Sequence, residues 1–164
     1  MKTVLTASAA LFTTLALSLP AVASSDAMND AMKGEKTFKK CKACHMLKTD
    51  DGEMIVKGGK TGPNLWGVIG RQAGSVEDYK YKPSIVAAGE AGLVWTEENL
   101  AEFAAGPAKF LKEYLDDSGA KSKMGFKLKK GGGDVAAYLA TFSDPVEDPD
   151  DDDAASESTE ESDS

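Results

Sequence analysis

The sequence predicts a small all-α domain of about four to five helices joined by glycine-rich loops. Apolar residues recur at helical spacing in several segments, whereas no segment shows the apolar–polar alternation of a strand. Glycine accounts for 16 of the 164 residues, and aromatic residues make up only 7%. This argues against a β-sandwich or barrel, whose strands are rich in aromatic and β-branched residues. The length suits one folded domain.

Residues 1–23 are typical of a cleaved secretory signal. Lys2 gives a positive start, residues 4–19 form an apolar run, and residues 21–23 (Ala-Val-Ala) form an A-x-A cleavage site. The alternative is an uncleaved membrane anchor, but a run of about 16 residues is shorter than the roughly 20 that a spanning helix needs. We therefore expect export, and this style of signal favours a bacterial periplasm.

Residues 143–164 form a second distinct end, which holds 11 of the 27 acidic residues and no Lys or Arg. Such a segment cannot bury enough apolar area to offset the entropy of ordering it, so we expect a disordered, solubilising tail. The alternative is a tail that competes with acidic partners for a basic face. Residues 24–142 keep 18 basic and 16 acidic residues. The formal net charge of -8 argues against nucleic acid as the main partner.

The first predicted helix opens near Ser25-Asp26, a plausible cap. The apolar face predicted for this helix consists of Met28, Ala31, Met32 and Phe38.

Three further helices are predicted towards the carboxyl end. Thr96 caps the second, with acidic residues in its first turn, and Gly106-Pro107 ends it. Pro107 also suits the first position of the third helix. The fourth begins near Asp134. Between the first and second helices, residues 52–74 are glycine-rich and irregular, and a loop this long usually has a function or wraps something. Few helices and much loop bury little apolar surface, so we expect another group to fill the interior.

Both cysteines and the single histidine fall within the segment Cys41-Lys42-Ala43-Cys44-His45. Two cysteines separated by two residues and followed by histidine are the signature of c-type haem attachment. Each thiol adds to one vinyl group of the haem, and the adjacent imidazole supplies an axial nitrogen to the iron. A covalent haem would also fill the interior. The sequence therefore predicts one haem c bound through Cys41 and Cys44, with His45 as an iron ligand.

Three other chemistries are open to this segment. A redox dithiol needs a thioredoxin-like βαβ context, which the sequence lacks. A plain disulfide between Cys41 and Cys44 is compatible with an oxidising compartment. Zinc binding by two cysteines and one histidine is one ligand short of a closed site.

The second axial ligand is predicted to be Met124. The sequence holds no second histidine, and methionine is the usual alternative. Met46 is too close to His45 to reach the opposite side of a haem, Met54 lies in the loop soon after the motif, and Met28 and Met32 are expected in the core. Met124 lies in a polar segment among lysines, where packing gives no reason for it.

Residues 26–142 resemble a class I c-type cytochrome, similar to mitochondrial cytochrome c and the soluble periplasmic cytochromes c of alphaproteobacteria. Beyond the haem motif, the resemblance rests on markers in the family's order and spacing. These are Gly34, Phe38, the segment 60–67 (Lys-Thr-Gly-Pro-Asn-Leu-Trp-Gly), Gly70-Arg71, Tyr79, Tyr81, Leu93-Val94-Trp95, Pro107, Lys123-Met124, Phe126 and Ala137-Tyr138-Leu139. The resemblance implies the small cytochrome c fold wrapped around one covalently attached haem.

The resemblance also implies roles for individual residues. The Pro63 carbonyl would accept a hydrogen bond from the His45 ring. Ser122 stands two residues before the methionine, where the family usually has threonine. Gly34 and Phe38 would pack on Val135 and Tyr138 where the first and last helices cross. The residues implied to serve the haem propionates are Arg71, Tyr81 and Trp95.

The sequence departs from the family pattern in two places. Phe103 stands where the family typically has tyrosine, so it cannot donate a hydrogen bond near the methionine sulfur. The segment between Pro107 and Met124 is also longer than in the mitochondrial pattern, and its extra stretch, residues 111–120, resembles larger bacterial members and is expected to cover or reshape the haem edge.

The predicted function is single-electron transport rather than catalysis, by a monomer without nucleic-acid or membrane-spanning roles in its mature form. The implied donor is a cytochrome bc complex, and the acceptor is a terminal oxidase, a reductase or a photosynthetic reaction centre. Lysines near the haem edge would steer transient docking to acidic faces of these proteins. The candidates are Lys39, Lys40, Lys42, Lys60, Lys121, Lys123, Lys127, Lys129 and Lys130. The alternative is a haem peroxidase or gas sensor with labile Met124 ligation.

Overall fold

The computed structural model describes residues 23–143, which form five helices and one two-stranded sheet. The elements in chain order are α1 (Ala23–Phe38), β1 (Leu47–Lys48), β2 (Met54–Val56), α2 (Pro83–Glu90), α3 (Glu97–Ala105), α4 (Pro107–Tyr114) and α5 (Gly132–Ala140). The predicted all-α class is therefore confirmed. The signal assigned to residues 1–23 lies outside the described residues except for Ala23, and so does the acidic tail after Ser143.

Helices α1 and α5 cross in close contact at Gly34. A Cβ atom at this position would overlap the carbonyl oxygen of Asp134 and lie 2.6 Å from Tyr138 Cβ, so only glycine fits the approach. One turn further along α1, the Phe38 ring packs against Tyr138 at a centroid distance of 5.5 Å. Val135 is buried beside them. The predicted packing of the first helix on the last is confirmed.

The prediction that Met28 and Met32 lie on the buried face of α1 is wrong. Met28 is 68% exposed and Met32 is 59% exposed. Because the crossing requires Gly34 and Phe38 to face α5, the helical rotation places Met32 roughly 120° from Phe38. The helix also begins at Ala23, before the predicted Ser25-Asp26 start.

The start signals of α3 and α4 are confirmed. Thr96 Oγ1 accepts a hydrogen bond from the Asn99 backbone N–H at 3.2 Å, and the Asn99 side chain accepts one from the Thr96 N–H at 2.9 Å. This reciprocal pair is a capping box, with asparagine in place of the usual glutamate or glutamine. Gly106 separates α3 from α4, and Pro107 is the first residue of α4. Helix α5 begins at Gly132, two residues before Asp134.

Three elements were not predicted from the sequence: helix α2 and the strands β1 and β2. Helix α2 begins with Pro83 at its first position and buries Ile85 and Ala88. Strands β1 and β2 pair antiparallel, with Leu47 opposite Val56. Strands of two and three residues are too short to show alternation, because a period of two needs several residues to appear.

Part of the core lines one cavity, with Val68, Trp95 and Leu139 among the buried side chains in its wall. Leu47, Val68, Leu111 and Leu139 are among the fully buried side chains, and they come from a strand, a loop and two helices. The extra stretch at residues 111–120 forms the end of α4 and the turn after it, and both Leu111 and Ala120 are buried. Only the two ends of the stretch are buried in the core, because residues 112–114 and 116–119 are exposed. None of residues 111–120 lines the cavity. Among residues 23–143, no helix combines the length and the apolar character needed to cross a bilayer.

Candidate haem site

The Cys-x-x-Cys-His segment follows directly on α1 and continues its turns. Cys41 N–H donates to the Phe38 carbonyl at 2.8 Å, and the N–H groups of Cys44 and His45 donate to the Cys41 carbonyl at 3.0 and 2.9 Å. Cys41 is partly buried and Cys44 is exposed, and no disulfide joins them. Burial raises the pKa of the Cys41 thiol, and the neighbouring Cys44 adds to the rise, whereas Lys40 opposes it. Helical turns thus hold both sulfurs and the imidazole in one compact unit.

The His45 ring is oriented by the loop that packs across the motif. Its Nδ1 lies 2.8 Å from the Pro63 carbonyl oxygen. Because a carbonyl only accepts, Nδ1 carries the hydrogen and Nε2 is left as the nitrogen available to a metal. Burial lowers the pKa of His45, and the bond to Pro63 partly offsets this. Burial is the larger of the two effects, so the lowered pKa favours the neutral ring, which is the form that binds iron.

Glycines let this loop approach the ring closely. A Cβ atom at Gly62 would lie 2.6 Å from His45 Nδ1 and 2.7 Å from Nε2, so no side chain can be accommodated there. The Gly62 N–H donates to the Cys44 carbonyl at 2.8 Å, and the Gly59 N–H donates to the Lys42 carbonyl at 2.9 Å. The glycine-rich stretch therefore wraps the haem motif, as its length suggested.

Arg71 reaches back over the same loop. Its two terminal nitrogens donate to the Trp66 carbonyl at 2.8 Å and to the Asn64 carbonyl at 2.9 Å. Its own carbonyl accepts from the Trp95 N–H at 2.9 Å, which joins the loop to the segment before α3. Burial lowers the pKa of Arg71, although Tyr81 and Asp50 favour its charged form. A partly buried guanidinium at a cavity wall suits an anionic group of a ligand.

Aromatic rings form another part of the wall. Trp95 is buried and meets the Phe103 ring edge-on at a centroid distance of 5.0 Å. Tyr81 meets Tyr79 in a similar arrangement at 4.7 Å. Burial raises the pKa of the Tyr81 hydroxyl, and the nearby Arg71 charge partly reverses the rise. The Tyr81 hydroxyl is therefore neutral and able to donate a hydrogen bond.

Met124 lies in a segment, residues 115–131, that contains no helix or strand. The Met124 N–H donates to Ser122 Oγ at 3.1 Å. Lys121 N–H donates to Ser84 Oγ of α2 at 3.0 Å, and Leu128 N–H donates to the Ala104 carbonyl of α3 at 2.8 Å. Bonds to two helices thus hold the ends of the segment around the methionine.

All nine candidate site residues line one cavity of about 250 Å³. They are Cys41, Cys44, His45, Pro63, Arg71, Tyr81, Trp95, Ser122 and Met124. Much of the remaining wall is apolar and includes Leu65, Val68, Ile85, Leu100 and Leu139. An apolar cavity with two thiols, a neutral imidazole, a thioether and a guanidinium fits a porphyrin that carries two vinyl groups, an iron and two carboxylates. The residues present therefore fit haem c.

Sequence reasoning missed three residues that build this site. Gly62 allows the loop to approach the His45 ring closely. The only sequence signal for this role was its place in the family segment 60–67. The Asn64 side chain accepts from Lys48 N–H at 3.0 Å and donates to its carbonyl, which ties the loop to β1. Tyr79 also lines the cavity. It had appeared only as a marker of the family, because its contacts join residues distant in sequence.

Comparison with known proteins agrees with this architecture, although no protein-family model matches the chain. Cytochrome c-551 of Roseobacter denitrificans is 59% identical over 117 residues, which cover 71% of this chain and 84% of the relative. Cytochrome c2 of Rhodobacter capsulatus is 56% identical over 141 residues, or 86% of this chain and 98% of the relative.

Solved structures of cytochromes c2 also resemble this chain. The structure of Rhodobacter capsulatus cytochrome c2 matches with a TM-score of 0.68 and 61% identity, over 68% of this chain and 97% of that one. Cytochrome c2 from Paracoccus denitrificans matches with a TM-score of 0.68 and 52% identity, over 70% of this chain and 96% of that one.

Together the fold and the cavity define a class I c-type cytochrome. Within this class, the chain belongs to the family of alphaproteobacterial cytochromes c2, c-550 and c-551. Its cofactor is the covalently attached haem c of that family, which the spacing of Cys41 and Cys44 matches.

Proposed function

We propose that this chain is a soluble periplasmic electron carrier that moves single electrons between larger redox proteins and catalyses no reaction of its own. The observation that carries the proposal is the convergence of Cys41, Cys44, His45 and Met124 on one cavity. When bound, haem c supplies an iron that cycles between the ferric and ferrous states. The chain's own residues hold that group, fix its ligands and limit access to it.

His45 and Met124 are proposed as the two axial ligands, and Cys41 and Cys44 as the thioether attachments. The Pro63 carbonyl fixes the imidazole plane and keeps Nε2 free to bind. The Ser122 hydroxyl accepts from the Met124 N–H and so constrains the turn that carries the thioether. Two permanent protein ligands leave no position for a substrate, which suits a carrier rather than an enzyme.

Arg71, Tyr81 and Trp95 are proposed to face the haem propionates. These carboxylates are costly to bury without partners, and Arg71 offers a charge that is already held in place by the Trp66 and Asn64 carbonyls. The Tyr81 hydroxyl and the Trp95 indole N–H can donate in addition. A held guanidinium lowers the reorganisation that follows a change of iron charge.

Transient docking is proposed to use the lysines of residues 24–142, a domain that is slightly basic while the tail is strongly acidic. Exposed lysines flank the cavity on both the motif side and the Met124 side, including Lys40, Lys42, Lys121 and Lys127. The proposed donor is a cytochrome bc complex, and the proposed acceptors are a terminal oxidase, a reductase or a reaction centre. Export by the signal at residues 1–23 would place the carrier beside such partners.

A spectroelectrochemical titration of the purified mature protein tests the carrier proposal. We expect one reversible one-electron step for each bound haem. We also expect no binding of carbon monoxide to the reduced form at neutral pH, because Met124 would hold the sixth position. Rapid carbon monoxide binding would contradict the carrier proposal and favour a peroxidase or a gas sensor.

A further inference from the structure

Three methionine side chains lie on the surface of the domain, and none of them lines the cavity. Met28 and Met32 lie one turn apart on α1, and they are the two most exposed of the large apolar side chains in the described residues. Met54 begins β2 and is 46% exposed. We call these three residues the surface methionines. The two other methionines among residues 23–143, Met46 and Met124, are half-buried.

Leucine does not occupy such exposed positions in the described part of the chain, although it is close to methionine in size. Each of the eight leucines among residues 23–143 is buried or half-buried. They are Leu47, Leu65, Leu93, Leu100, Leu111, Leu115, Leu128 and Leu139. Apolar bulk therefore does not account for the surface methionines. The property that distinguishes them from leucine is a thioether sulfur that is open to solvent.

We propose that the surface methionines are oxidation sites that consume hypohalous acids and so protect Met124. The proposal rests on the proposed function, in which Met124 binds the iron. With hypochlorous acid, an S–O bond forms at the thioether and the O–Cl bond breaks, while chloride and a proton leave to solvent. The sulfur loses two electrons and the chlorine gains them. The product is methionine sulfoxide, which methionine sulfoxide reductases return to methionine.

The consequences of oxidation differ between the surface methionines and Met124. A sulfoxide is polar, so it disturbs a packed interior but remains in water at an exposed position such as Met28. At Met124 the same reaction would remove the proposed thioether ligand. Met124 is also the less accessible sulfur, because its side chain is half-buried and its proposed bond to iron engages a lone pair. The exposed sulfurs therefore react first, at positions where the product costs little stability.

Peptide mapping of the haem-loaded protein tests the order of oxidation. The protein is treated with one equivalent of hypochlorous acid, and sulfoxide at each methionine is measured by mass spectrometry. We expect each surface methionine to carry roughly fivefold more sulfoxide than Met46 or Met124, because reaction follows exposure. Equal oxidation of Met124 and the surface methionines would overturn the proposal.

A triple variant carrying Met28→Leu, Met32→Leu and Met54→Leu tests protection of Met124. Leucine keeps the side-chain volume and removes the sulfur. Titration with hypochlorous acid is followed by the weak far-red band that marks methionine–iron ligation in the oxidised protein. We expect this band to be lost after about three fewer equivalents in the variant, one for each sulfur removed. The matched control is Ile55→Leu, which alters the exposed surface of β2 without changing the number of sulfurs, and it should titrate like the unchanged protein.

The two measurements separate failure of the protection from failure of the ligand assignment. If the untreated protein lacked the far-red band, the assignment of Met124 would be wrong, and the protective role would be wrong with it. If the band were present and the triple variant titrated like the unchanged protein, the protective role alone would be wrong. Denaturant unfolding of protein oxidised only at the surface methionines should match that of untreated protein. A lower midpoint would contradict their role as harmless oxidation sites.

Discussion

At the residue scale, Arg71 shows how the loop and the site depend on each other. Its guanidinium donates to two backbone carbonyls of the loop that carries Pro63, and its own backbone bonds to Trp95. These are bonds from a charged donor in a partly buried place, which are stronger than bonds between neutral groups. The residue thus holds the loop, and the loop holds the His45 ring.

We predict that Arg71→Lys destabilises the haem-loaded protein. Lysine keeps the charge but cannot direct two fixed donors at the Trp66 and Asn64 carbonyls. The loss should be about 1–3 kcal/mol in the free energy of unfolding, the scale of a hydrogen bond to a charged group. Denaturant titration followed by circular dichroism measures it. Unfolding midpoints that coincide would show that these bonds contribute nothing.

Spacing alone identified the two attachment cysteines and the histidine of the site. Cys41, Cys44 and His45 lie within five positions, so a local pattern was sufficient to predict haem attachment. The contact between Lys123 and Tyr79 could not be predicted in this way, because it joins segments 44 residues apart and depends on the path of two irregular loops. Local sequence signals carry no information on such paths.

At the element scale, the α1–α5 crossing determines which face of α1 points inward. Periodicity placed the large methionines in the core, yet Met28 and Met32 are exposed while Gly34 and Phe38 are buried. A glycine contributes nothing to a hydrophobic pattern, although it allows the closest approach of two helices. The helices with clear caps, α3 and α4, were predicted at their observed starts for the opposite reason: their signals are local.

We predict that Gly34→Ala weakens this crossing by roughly 1–3 kcal/mol, the usual cost of forcing extra atoms into a packed site. The added Cβ would overlap the Asp134 carbonyl, and backbone atoms cannot move aside cheaply. Gly133→Ala is the matched control, because a Cβ there meets nothing within 4 Å. Alanine should be neutral or stabilising by up to about 1 kcal/mol at that helical position. Thermal unfolding of both variants measures the change in stability. Equal losses of stability in the two variants would contradict the argument from close helix approach.

At the scale of the whole molecule, charge is divided between the domain and the carboxyl-terminal segment. Residues 24–142 are slightly basic, whereas residues 143–164 hold 11 acidic side chains and no basic ones. Ser143, the last described residue, accepts a hydrogen bond from the Ile69 N–H at 3.1 Å, so the point at which the acidic segment begins is bonded to the domain. Its 21 further residues span at most about 70 Å. That length is enough to reach any lysine of a domain this size.

We predict that truncation after Ser143 speeds association with an acidic redox partner at low salt. We expect the 11 acidic side chains to compete with the partner for the lysines, and electrostatic steering weakens as salt rises. Stopped-flow mixing measures the second-order rate constant of association. We expect it to rise several-fold at low ionic strength and less at high ionic strength. An association rate unchanged by truncation at low salt would exclude screening by the tail.

The most direct measurement is an optical spectrum of the purified mature protein in both oxidation states, beside a Met124→Ala variant. The account predicts a sharp α-band in the reduced protein and a weak far-red band in the oxidised protein. The variant should keep the first and lose the second, since Cys41, Cys44 and His45 remain. A variant that retained the far-red band would contradict Met124 as the ligand. A protein without any haem band, after expression with the attachment machinery, would contradict the account as a whole.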